Sequence, residues 1–94
     1  MDNVEILRAV DRLAGRELQC GSHTVHISMD TGHDRLTIRG ARHAAVTVDE
    51  DLFCDAVQDA HADLPALDEA VLTRVICDVY ENPRRYPSAR PDFT

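Results

Sequence analysis

The stretch from Leu18 to Arg39, LQCGSHTVHISMDTGHDRLTIR, decides how this chain folds. It contains three runs in which apolar and polar residues alternate, separated by Gly21-Ser22 and Gly32-His33. Alternation marks half-buried strands, and a glycine at the first central position of a two-residue loop suits a type II′ hairpin turn. The two turns fix two registers that can be compared. The first sets Leu18 opposite Val25; the second sets Ile27 opposite Ile38 and Met29 opposite Leu36. These apolar pairs all land on one face, as pairing over a buried core demands. The opposite face carries Glu17, Gln19, Thr24, His26, Ser28, Asp30, Arg35, Thr37 and Arg39, which predicts a polar sheet surface turned to water.

Upstream of this meander, Asp2-x-x-Glu5 reads as a capping box opening a helix. Val4, Ile6, Leu7, Val10, Leu13 and Ala14 line one side of it, and Gly15 can supply the left-handed residue that ends it. Downstream, Ala44 to Val48 fits either a short fourth strand or an extended connector. Thr47-x-x-Glu50 and Asp49 are rival caps for a second helix running to about Ala62, with Phe53, Ala56, Val57, Ala60 and Leu64 as its apolar stripe. Pro65 breaks the chain before a third helix, in which Leu72, Val75, Ile76 and Val79 repeat at helical spacing. The expected fold is α+β: an N-terminal helix, a three- or four-stranded antiparallel meander sheet, then two helices packed on one sheet face. Residues 1–81 form a single domain on this reading. Residues 82–94 hold three of the four prolines and three arginines, which predicts an extended or mobile tail.

At 94 residues, with 44% hydrophobic and 29% charged side chains, the chain is sized and composed for one globular domain. No apolar run approaches the ~20 residues that span a bilayer, and the start lacks the pattern of a signal peptide. The net charge of −7 disfavours nonspecific attraction to nucleic acid or to anionic membranes. Three cysteines, Cys20, Cys54 and Cys77, leave one odd and show no disulfide-scaffold spacing, so free thiols in a cytoplasmic protein are expected.

The charge is concentrated. Ala44 to Thr73 contains no Arg or Lys and eight acids: Asp49, Glu50, Asp51, Asp55, Asp59, Asp63, Asp68 and Glu69. Asp51, Asp55 and Asp59 recur every fourth residue, which stacks three like charges on one helix face at a cost of ~0.2–0.5 kcal/mol per pair. Some gain at the helix N-terminus and general solubility account for part of this bias. The functional alternative is a docking surface for a basic groove, since carboxylates about 6 Å apart resemble the charge repeat of a nucleic-acid strand.

Other chemistry has thinner support. Cys20-x-x-His23-x-x-His26 has the residue types of a zinc or copper site. Strand alternation, however, sends His23 and His26 to opposite faces, so no metal and no cofactor is expected. Cys54 and His61 lie two helical turns apart, too far for a nucleophile and its base. Cys54 and Cys77 read as core-edge packing, and no acid sits on an apolar surface that would raise its pKa. The sheet face around Arg35, Arg39, Arg42 and His43 lacks the aromatics that stack on single strands. A helix-turn-helix over residues 49–81 would present Asp68, Glu69 and Asp78 to DNA with only Arg74, so no direct nucleic-acid binding is expected.

The expected function is therefore a non-enzymatic acidic inhibitor or interaction protein, in the manner of phage inhibitors, anti-defence proteins, immunity proteins and antitoxins. It would dock the acidic helix on a larger nucleic-acid-handling protein. The alternatives are a self-associating accessory or scaffold domain, with the tail residues Arg84, Arg85, Tyr86 and Arg90 as one possible contact in a homodimer, and a small metal-binding protein using Cys20, His23 and His26.

Overall fold

The computed structural model describes residues 1–30, 32, 34–41 and 45–92. Helix α1 (Asn3–Leu13) begins where Asp2 accepts the Glu5 N–H at 2.9 Å. It buries Ile6, Ala9, Val10 and Leu13, and the chain leaves it through Gly15 at φ 82°. Strands β1 (Leu18–Cys20), β2 (His23–Asp30), β3 (Arg35–Gly40) and β4 (Ala45–Asp49) follow, then α2 (Glu50–Ala60) and α3 (Glu69–Glu81). A 3-10 turn at Pro83–Arg85 leads to a last strand, β5 (Arg90–Asp92). Among the described residues the sheet has five strands, antiparallel throughout and ordered β1-β2-β3-β4-β5. This is the α+β layout expected, with one or two more strands.

Both anticipated registers are present: Leu18 pairs with Val25, Ile27 with Ile38 and Met29 with Leu36. The first turn is the tight Gly21-Ser22 loop, with Gly21 at φ 66°. The second is wider than its sequence suggests, because the ladder closes at Asp30 and Arg35. Asp30 Oδ1 accepts the Gly32 N–H at 3.1 Å, and the Asp34 carbonyl accepts the Glu50 N–H at 3.0 Å, which draws the loop toward α2. A four-residue loop preserves the parity of a two-residue one, so the apolar face stays inward. Thr31 and His33 of this turn lie outside the described residues.

The inner sheet face presents Val25, Ile27, Leu36, Ile38, Val46 and Val48 to all three helices rather than to the last two alone. Phe53, Val57, Leu72, Ile76, Val79 and Tyr80 close over it, each fully buried. Gly40 permits the closest approach: a Cβ there would lie 2.7 Å from Tyr80 Cζ. Helix α2 is capped by Asp49, whose carboxylate accepts the Asp51 and Leu52 N–H groups. Thr47 is unavailable for the rival capping box because it sits inside β4, paired with Thr37. The helix stops at Ala60, two residues short of expectation, so Leu64 leaves the apolar stripe and is exposed.

Two features depart further from the sequence reading. Cys20 and Cys77 form a disulfide between β1 and α3. The strand register brings Cys20 against the helix layer, and α3 brings Cys77 over it, with 5.5 Å between the Cα atoms. Cys54 is the remaining free thiol, and it is fully buried in the core rather than at its edge. Of the segment read as an extended or mobile tail, residues 82–92 are described. They fold back over α3 and end as a strand beside β4. Tyr86 donates its hydroxyl proton to Asp78, and Asn82 Nδ2 donates to the same carboxylate at 2.8 Å. Arg35 then donates to Thr47 Oγ1 and to the Ser88 carbonyl, each at 3.1 Å. The Asp49 N–H donates to Ser88 Oγ at 2.9 Å. Proline at position 91 and a length of three residues keep this sheet edge short.

Candidate functional site: the carboxylate row of the second helix

The eight acids singled out from the sequence divide into two groups. Asp49 and Asp68 are helix caps: Asp68 accepts the Ala70 and Val71 N–H groups at the start of α3. Glu50, at the first position of α2, is buried, with 8% of its surface exposed. Burial raises its pKa above the ordinary carboxylate value, and the charges of Asp34, Asp51, Asp49 and Asp30 raise it further. Nothing in the alternation of the sequence signals this, because the burial comes from the β2–β3 turn folding against the start of α2.

The other five, Asp51, Asp55, Asp59, Asp63 and Glu69, are exposed. Their carboxylates make no hydrogen bond or ion pair among the described residues. Asp51, Asp55 and Asp59 keep their i, i+4, i+8 row on the outer side of α2, while Phe53, Cys54 and Val57 face the core. The last turn of α2 holds no basic residue. Cations are favoured at that end of a helix, so an aspartate there, at position 59, works against the dipole.

The row is held on a firm base. Gln58 Nε2 donates to Asn3 Oδ1 at 2.8 Å, tying α2 to α1. His61, buried just past the helix, has Nδ1 at 2.7 Å from the Val57 carbonyl, and its Nε2 accepts the Asp68 N–H at 3.0 Å. These partners select the tautomer with the proton on Nδ1. His61 thus joins the end of α2 to the cap of α3 and has no part in a pairing with Cys54. The Cys54 thiol is pushed up to about 11 by burial and then by the surrounding carboxylates, which leaves it protonated and inert near neutral pH.

The remaining sequence candidates are placed as follows. Cys20 is a disulfide sulfur and offers no thiolate to a metal. His23 packs toward the helix layer, its ring centroid 5.9 Å from that of Tyr80 and its Nε2 3.3 Å from Glu81 Oε1, without hydrogen-bond geometry. His26 is exposed and pairs across the sheet with Arg39. The outer sheet face carries Arg35, Arg39 and Arg90, while Arg8 and Arg12 lie on α1 and Arg74 on α3. Arg42 and His43 are outside the described residues. Among the described residues no helix is long and apolar enough to cross a membrane. No family model matches the chain, and no curated protein or solved structure is similar to it.

Proposed function

We propose that this chain is a non-enzymatic interaction protein that docks the outer face of α2 on a cationic surface of a larger, nucleic-acid-handling protein and blocks it. The observation that carries this reading is the row Asp51, Asp55 and Asp59: exposed, regularly spaced and without an internal cation. Asp63 and Glu69 extend the negative surface toward the following loop. The caps Asp49 and Asp68 hold the helix starts in place, and Glu50 is buried, so these three belong to the scaffold and not to the docking surface. A rise of 6 Å per four residues gives the row the spacing of a phosphate backbone, which suits a phage inhibitor, anti-defence, immunity or antitoxin role. Association through such a row is fast and weakens as salt screens it. Binding of the cationic partner by wild type and by an Asp51→Asn, Asp55→Asn, Asp59→Asn triple variant, across a salt series, tests the reading.

The second reading is a self-associating accessory domain. It is favoured by an apolar groove between α1 and β2, walled by Val4, Leu7, Ala14 and Met29, with Val4 58% exposed. Sedimentation at rising concentration tests it, because burial of that groove between copies is little affected by salt.

The expectation of a cytoplasmic protein rested on unpaired thiols, and the Cys20–Cys77 bridge removes that ground.

A further inference from the structure

His26 and Arg39 are directly opposite on β2 and β3, on the sheet face that no helix covers. Directly opposite residues have Cβ atoms about 5 Å apart, close enough for both side chains to reach one ligand atom group. They line a cleft of about 530 Å³ with His23, Thr24, Gly40 and Ala41. Both are exposed, and neither makes a hydrogen bond or ion pair among the described residues. That is unexpected for an arginine in a chain with seventeen acids. Asp30 lies four residues along β2 from His26, about 13 Å away. Glu17, one residue before the β1 ladder, falls in line with His26 on the side away from Arg39, so the arginine and not the histidine is the anion anchor. The Glu81 carboxylate faces His23 from the helix layer.

The donors share one face. Arg39 offers a planar fork that grips two oxygens of one anion. His26 supplies a ring N–H in either neutral tautomer, and the half-buried Thr24 supplies a hydroxyl. We propose that this cleft binds the phosphate of a small phosphomonoester, with Arg39 as the anchor and His26 and Thr24 as the accessory donors. The cleft is shallow and open, of a size for a small anion, and among the described residues the sheet face has no exposed aromatic of the kind that holds a nucleic-acid strand. This site lies on the opposite layer from the α2 row and does not depend on it.

The test is a titration of the full chain, followed by amide resonances, with inorganic phosphate and with glycerol phosphate at constant ionic strength. The expected result is saturable shifts centred on Thr24, His26, Arg39, Gly40 and Ala41. Arg39→Gln is expected to weaken binding by about tenfold or more, while Arg90→Gln, on the same face, leaves it unchanged. Both residues are exposed, so neither variant disturbs the core. Shifts that follow ionic strength alone, an equal response in the Arg39→Gln variant, or a response to a single-stranded oligonucleotide and to neither phosphate probe would each overturn the proposal.

Discussion

The imidazole of His61 accepts the backbone N–H of Asp68 at 3.0 Å, so one buried ring fixes both the end of α2 and the start of α3. The same ring meets the Val57 carbonyl through Nδ1 at 2.7 Å. His61→Ala removes both interactions and leaves the Asp68 N–H without its side-chain acceptor, while the Val57 carbonyl keeps the backbone N–H of residue 61 at 3.1 Å. Loss of about 2 kcal/mol of folding stability is expected, read as a lower urea midpoint. An unchanged midpoint would show that the loop between the helices does not need the ring.

The disulfide closes a loop with a sequence separation of 57 between β1 and α3. Chain entropy assigns such a closure a stabilisation of about 4 kcal/mol. Reductant, or the Cys20→Ser, Cys77→Ser double variant, is therefore expected to lower the melting temperature substantially. Cys54 is expected to resist alkylation in the oxidised, folded chain and to react once the chain is unfolded, because it is buried and its pKa is raised. Rapid labelling of Cys54 under native conditions would contradict the packing described.

Glu50 makes stability depend on pH. Its pKa is higher in the folded chain than the ordinary 4.5, so the folded state holds the proton more tightly than the unfolded state does. The contribution from this proton is fully present below the unfolded value and is lost as pH rises through the folded one. Glu50→Gln is expected to raise stability at neutral pH and to flatten its pH dependence over that window. Denaturation curves at a series of pH values check both; a parallel shift at every pH would contradict the account.

Gly40 faces Tyr80 so closely that an added Cβ would also lie 2.8 Å from the hydroxyl oxygen. Gly40→Ala is expected to cost about 1–3 kcal/mol through displacement of the buried ring. Thermal melting of the variant measures it, and a neutral effect would mean that β3 and α3 can move apart freely.

How much of this was legible in sequence depends on the range of the interaction. The β2–β3 register was readable because each hairpin turn is local and Ile27, Ile38, Met29 and Leu36 repeat with a period of two. The Asp2 and Asp49 caps and the outward row Asp51, Asp55 and Asp59 were readable for the same reason, their geometry being set within one or two helical turns. The Cys20–Cys77 bridge joins residues far apart in sequence, and three cysteines in isolation do not reveal which two meet. The last strand was hidden because Arg90-Pro-Asp has no strand pattern of its own. It is held by partners supplied elsewhere, Arg35, Asp49 and Asp78. Glu50 was counted with the exposed acids, although the β2–β3 turn buries it.

The central claim is that the α2 row is a docking surface, and the most direct measurement is the affinity of the cationic partner for wild type and for the Asp51→Asn, Asp55→Asn, Asp59→Asn variant at low and high salt. A Glu5→Gln, Asp11→Asn, Glu17→Gln variant, which removes the same three charges at exposed positions off α2, serves as the control for total charge. The expected result is at least a tenfold loss for the triple variant, a smaller loss for the control, and a salt slope that flattens once the row is neutralised. Equal affinity of wild type and triple variant at low salt would contradict the claim and leave the row as a solvated helix face.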